Sequence, residues 1–183
     1  IINQINFIGD IVEVSNADAL KKLKLPEAGY EQMIASTTQL NKVGTTLGYM
    51  QGVHAMTDVT GFGLLGHLLE MAEGSGLSAE IDYAAIPTLP GVKEYISKRI
   101  IPDATFRNWN SYSTKTGFEK GVNVMEAFNL LPDPQTNGGI LFSVQQSAVA
   151  EVQQLLKENG LEDFINPIGF FTAKAEKTVM VNL

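Results

Sequence analysis

Largely apolar positions recur every three or four residues through 28–50, where Tyr30, Met33, Ile34, Thr37, Leu40, Val43, Leu47 and Met50 share one side of a helical wheel. That spacing predicts one long amphipathic helix, with Gly44 and Gly48 weakening its last turns. The same period predicts helices over 64–73, 91–101, 122–131 and 147–159, and a short one over 17–25 that Pro26 interrupts. Alternating or compact apolar runs predict strands at 8–14, 78–83, 140–144, 165–172 and 178–182. Residues 53–59 read as a short strand or an extended lead into a glycine turn.

Two segments show neither period. Residues 105–112 are dense in aromatic and amide groups, and the expectation is that Phe106, Trp109 and Tyr112 pack on the core while the amides cap loops. Residues 132–139, rich in Pro, Asn and Gly, form a loop. Strands and helices that do not alternate regularly predict an α+β domain with a central mixed or antiparallel sheet. The segments 78–83, 140–144, 165–172 and 178–182 build that sheet, and the helices at 28–50 and 147–159 bury their apolar stripes on it.

Composition removes several functions. With 183 residues the chain suits one domain with a sizeable core. A net charge of −7 opposes nucleic acid and anionic membrane surfaces as partners. The absence of cysteine rules out disulfides, thiolate metal sites and a thiol nucleophile, and two histidines supply a zinc site or a serine-type triad poorly. No apolar run approaches the roughly 20 residues that span a bilayer, and no signal peptide opens the chain, so the expected location is the cytoplasm. The chain opens on Ile1 instead of methionine, which predicts a fragment or a processed piece.

The candidate chemistry lies in His54-Ala55-Met56-Thr57-Asp58-Val59-Thr60-Gly61-Phe62-Gly63-Leu64-Leu65-Gly66-His67. A carboxylate stands here beside a glycine turn that opens into a helix. Glycines let backbone approach a ligand, and a helix start offers unpaired N–H groups and partial positive charge. A bare carboxylate would repel a phosphate, so Asp58 implies a cation such as Mg²⁺ that accepts both, with Gly61 and Gly63 near the phosphates. The plainer alternative is that the glycines allow close packing and Asp58 caps the helix. His67 reads as a solvent-side residue with Glu70 three positions on. Gly61, Gly63 and Gly66 also match a dinucleotide-binding fingerprint with Asp82 downstream, but Thr57, Asp58 and Thr60 occupy the approach where an apolar strand is required.

Four stretches carry a resemblance: residues 30–41, residues 57–67, Thr105-Phe106-Arg107-Asn108-Trp109-Asn110-Ser111-Tyr112, and Asp133-Pro134-Gln135-Thr136-Asn137-Gly138-Gly139. In this order they resemble the carboxy-terminal half of selenophosphate synthetase, also called selenide, water dikinase. That family falls within a wider group that includes aminoimidazole ribonucleotide synthetase and thiamine-monophosphate kinase. The resemblance implies the carboxy-terminal fold of that group over 26–183, with 1–25 a divergent or incomplete lead-in. It also implies a homodimeric enzyme that makes selenophosphate, AMP and phosphate from ATP, selenide and water. Most ATP and metal ligands then belong to an amino-terminal domain that this chain does not contain. Asp58 is the one metal-binding aspartate implied here, and the fragment alone is expected to be inactive.

The chain departs from the family pattern in two places. Residues 1–25 lack the Thr-Lys-Pro-Leu-Gly signature, and Asp103-Ala104 stands where Gly-Gly often precedes the Thr-Phe-Arg-Asn run. Two further readings stay open: a non-catalytic interaction or regulatory module of the same fold, and a domain of a related ATP-using purine- or thiamine-pathway enzyme.

Overall fold

The run Ile-Leu-Phe-Ser-Val-Gln is apolar on both of its alternating sides, the composition of a strand covered on two faces. In the computed structural model, which describes residues 3–8 and 27–183, it is β5 (Ile140–Gln145), buried along almost its whole length. Ile140, Phe142 and Val144 enter a core with Val43, Leu47, Val152 and Leu156, whereas Leu141 enters another with Leu64, Leu65 and Leu68. Successive side chains of a strand point to opposite faces, so these two cores lie on the two sides of one sheet.

Among the described residues the sheet has seven strands, in the order β2-β5-β1-β6-β3-β7-β4. They are β1 (Asn3–Ile8), β2 (Val53–Asp58), β3 (Leu77–Asp82), β4 (Thr116–Phe118), β5, β6 (Gly169–Ala173) and β7 (Val179–Asn182). Pairing is antiparallel from β2 through β3 and parallel at β3–β7 and β7–β4. β1 lies mid-sheet, with Ile8 opposite Ile140 and Ile5 opposite Gly169.

Helices α1 (Glu27–Thr38) and α2 (Val43–Leu47) precede β2, and α3 (Gly63–Gly74) follows it. Next come α4 (Val92–Ser97), α5 (Asp103–Tyr112), α6 (Val124–Leu130) and α7 (Val149–Glu158). Leu64, Leu65, Leu68 and Leu69 of α3 are buried against the sheet, each stabilising the fold by about 1.5–3 kcal/mol. Ser75 and Gly76 end α3, the latter at φ +66°.

The four expected strands share one sheet, with β6 starting later than the pattern indicated. The expected helix at 147–159 also buries Val152 and Leu156 beside β5. The long helix expected over 28–50 is instead two helices. The Thr37 and Thr38 hydroxyls donate to Met33 O (2.8 Å) and Ile34 O (2.6 Å), and the chain turns before α2. No residue of α1 is buried, and Tyr30 is 54% exposed, so its apolar stripe does not lie on the sheet.

Residues 103–112 form helix α5, where the reading from sequence expected no regular element. The helix expected over 91–101 ends at Ser97. Of the strand expected at 8–14 only Ile8 is described, as the last residue of β1, and the helix expected at 17–25 lies outside the described residues.

Candidate functional site

Asp58 closes β2, an edge strand whose Val53, Ala55 and Thr57 turn inward and whose His54, Met56 and Asp58 are exposed. Edge position and alternation together bring the carboxylate to the surface, at the point where the chain leaves the sheet for α3. It forms no ion pair among the described residues. Nor do three His, Asp or Glu side chains converge among the described residues, so a cation at Asp58 would draw its other ligands from water, phosphate oxygens or another part of the protein.

The loop after Asp58 is held by a second loop, residues 132–139. Val59 N–H donates to Gly139 O (2.9 Å), Gly138 N–H to Val59 O (2.9 Å) and Gln135 N–H to Thr60 O (3.1 Å). The Asn108 amide, carried by α5, donates to both Gly61 O and Pro132 O at 2.9 Å. Asn137 reaches the other way, donating to Thr37 O (3.1 Å) and Gln39 O (2.9 Å) at the end of α1. Four segments far apart in the chain thus meet in one hydrogen-bonded cluster beside Asp58.

The glycines divide by role. Gly63 has φ +69°, and a Cβ there would lie 2.6 Å from the Pro132 carbonyl carbon. Gly66 backs onto Tyr112, whose hydroxyl would be 2.6 Å from such a Cβ. Gly61 alone of the three faces open space, with nothing within 4 Å of where a Cβ would sit. Close packing therefore explains Gly63 and Gly66, and only Gly61 leaves room for a ligand at its Cα. The opening N–H groups of α3 are also partly engaged: Gly63 N–H donates to Thr60 O and Leu65 N–H to Leu131 O, both at 2.9 Å. The helix start is less free for an anion than the glycine pattern alone implied.

His67 is not on the solvent side. It is 8% exposed, its Nε2 accepts from Thr60 N–H at 3.1 Å, and its Nδ1 lies 3.4 Å from Glu70 Oε2. These contacts fit the tautomer protonated at Nδ1, which pins the Asp58 loop to α3. Asp82, the acidic member of the dinucleotide pattern, accepts from Ala84 N–H at 2.8 Å and so caps a local turn. The antiparallel edge strand before Gly61 is likewise incompatible with that fold.

Gln135 was not singled out from sequence. It is buried, and both its Oε1 and Nε2 lack a hydrogen-bond partner among the described residues. Its side chain lies against Gly138, where any Cβ would collide with the amide. The signal in the sequence was the absence of a Cβ at 138.

Residues 11–182 match the family described as AIR synthase related protein, C-terminal domain. The chain is 46% identical over 144 residues to a selenide, water dikinase of Burkholderia pseudomallei, covering 79% of this chain and 40% of that protein. It is 47% identical over 145 residues to the selenide, water dikinase of Pseudomonas straminea, with the same coverage of 79% and 40%. The chain thus spans about two fifths of the length of these relatives. Escherichia coli HypE, a hydrogenase maturation protein, aligns over 98% of this chain and 46% of its own at a TM-score of 0.62 and 19% identity. Thiamine-monophosphate kinase from Stenotrophomonas maltophilia aligns over 98% and 49% at a TM-score of 0.60 and 17% identity. These structures share the fold, and the sequence match decides the family: the chain belongs to the AIR synthase-related C-terminal domain family.

Proposed function

We propose that this chain is the carboxy-terminal domain of an ATP-dependent selenophosphate synthetase that converts selenide, ATP and water to selenophosphate, AMP and phosphate, with β1 belonging to that domain's sheet as well as 26–183. The observation that carries the reading is the convergence of all four motif segments. Thr37 and Gln39, Val59 to Gly61, Asn108, and Gln135 to Gly139 are joined by hydrogen bonds around the end of β2. Similarity to selenide, water dikinases supports the same reaction.

Asp58 suits Mg²⁺: it is a hard oxygen ligand, exposed and without an ion pair among the described residues, and Mg²⁺ is usually held by one or two carboxylates with water and phosphate oxygens. Bound there, the ion would neutralise phosphate charge. Asp58 supplies one carboxylate oxygen to it, Gly61 leaves backbone room beside it, and Asn108 and His67 hold the loop that carries both. The ATP-binding domain belongs to the rest of the protein, which works in the cytoplasm as a homodimer.

The test is Asp58→Asn in the full-length protein, with AMP formation measured against Mg²⁺ concentration. The amide is nearly isosteric, so the unfolding midpoint should not change, while turnover should fall by roughly a hundredfold or more. Wild-type turnover at every Mg²⁺ concentration would end the metal assignment, leaving Asp58 a surface residue. The 183-residue chain alone should form no AMP from selenide and Mg-ATP; robust turnover by it would place the catalytic groups within these residues.

A further inference from the structure

The turn after α4 closes with Ile100 N–H donating to Tyr95 O (3.0 Å) and Arg99 N–H to Ile96 O (2.9 Å), the two bonds of a Schellman motif. Its left-handed position ordinarily takes glycine, yet Arg99 holds it at φ 58°, the one non-glycine residue with positive φ among those described. The side chain kept at this conformational cost lines a cleft of about 600 Å³ between α4, the start of α5 and α6.

The apolar part of the lining comes from Ile96, Ile101, Phe106 and Phe128, and the polar groups carry a readable charge pattern. Lys93 is already matched by Glu126 at 3.1 Å, which also accepts from the Tyr83 hydroxyl at 2.8 Å. Arg99 has no carboxylate partner among the described residues. Asp103, also unpaired, stands in the same lining as an acceptor. Asn129 is 9% exposed, and its Nδ2 donates to Met125 O at 2.7 Å while its Oδ1 finds no partner. An unpaired buried acceptor is costly; this one is closed to solvent, and a donor in the cleft reaches it by a turn of the Asn129 amide.

One free cation, one free carboxylate and one unpaired amide oxygen above an apolar floor match a zwitterion with an apolar body. A phosphate, with about two negative charges, would meet one cation and an opposing carboxylate. We propose that this cleft binds an α-amino acid with an apolar side chain. Its carboxylate pairs with Arg99, its ammonium donates to Asn129 Oδ1 and Asp103, and its side chain rests against Phe106 and Phe128. The cleft shares no residue with the cluster around Asp58 and does not depend on the kinase reading.

The probe is L-phenylalanine, titrated calorimetrically into the complete protein beside phenethylamine, 3-phenylpropionate and AMP. L-Phenylalanine should bind with a Kd of about 0.1–1 mM, and each truncated analogue should bind at least roughly tenfold more weakly. Arg99→Gly relieves the left-handed backbone, so it should raise the unfolding midpoint while weakening phenylalanine at least roughly tenfold. Asn129→Leu should weaken it without the gain in stability. No phenylalanine binding up to about 10 mM, equal affinity in Arg99→Gly, or tighter binding of AMP that Arg99→Gly abolishes would each overturn the assignment.

Discussion

The side-chain amide of Asn108 lies 2.9 Å from the carbonyl oxygen of Gly61, joining a helix to a loop across 47 residues of chain. The same nitrogen serves Pro132 O, so one side chain holds both walls of the cluster beside Asp58. Asn108→Asp turns a double donor into an acceptor facing two carbonyls and should destabilise by about 2–4 kcal/mol, more than Asn108→Ala. Urea denaturation of the two variants gives the order; equal stability would show that the bridge carries no weight.

Gly61 and Gly63 should separate packing from ligand approach. At Gly63 an alanine meets fixed backbone and a left-handed φ, and should destabilise by roughly 2 kcal/mol or more. At Gly61 the space is open, and alanine should leave the fold within about 0.5 kcal/mol of wild type. If a phosphate approaches that backbone in the full-length enzyme, Gly61→Ala should raise the KM for ATP. An unchanged KM would place the phosphates elsewhere.

Gln135 is a buried amide with both ends unpaired among the described residues. Gln135→Met keeps the length and removes the polar atoms, so thermal unfolding should show a gain of about 1 kcal/mol. If the amide meets substrate or another domain during turnover, AMP formation should fall in the same variant. A loss of stability would mean that the amide is satisfied in the folded protein.

The expected element at 28–50 failed, and the one at 103–112 went unseen, for related reasons. Phe106, Trp109 and Tyr112 do fall three apart, a helical face, but the amides between them obscured it. In α5 that face is used in part: Trp109 meets Phe128 edge-on at 5.0 Å and Phe118 at 5.9 Å and Tyr112 packs on the core, whereas Phe106, also expected there, is 46% exposed. In 28–50 the period was sustained but the carbonyls of Thr37 and Gln39 go to Asn137, a partner a hundred residues away that no local pattern shows. Asp58 stands out in the sequence as a carboxylate beside glycines, and the structure places it exposed at the end of β2. Gln135 does not stand out: Gly138 is its one local sign, and the burial of its amide follows only from tertiary placement. Strand segments were legible from composition, whereas their order, with β1 mid-sheet, was not.

Burial, together with the Glu126 carboxylate that accepts its hydrogen bond at 2.8 Å, raises the Tyr83 hydroxyl well above the ordinary tyrosine range. Tyr83 therefore keeps its proton in the native state at pH values where the unfolded chain loses it. Native protein then binds more protons than unfolded, and stability falls as pH rises through about 10. Tyr112 adds to the same slope, through burial and then the charge of Glu70. Tyr83→Phe should flatten this alkaline limb in unfolding midpoints measured from pH 8 to 11. An identical slope in the variant would assign the limb to other groups.

Because β1 pairs with β5 on one side and β6 on the other, the sheet is stitched through the first of its described strands. Ile8 leaves the ribosome long before Ile140, so the sheet closes only after most of the chain has been made. A trimmed version that begins at the first helix would consist of a β2-β5 pair and a separate β6-β3-β7-β4 ribbon. Each would carry a freshly exposed row of unpaired backbone groups, the kind of edge that recruits other chains. Loss of β1 alone would thus turn one continuous sheet into two adhesive pieces.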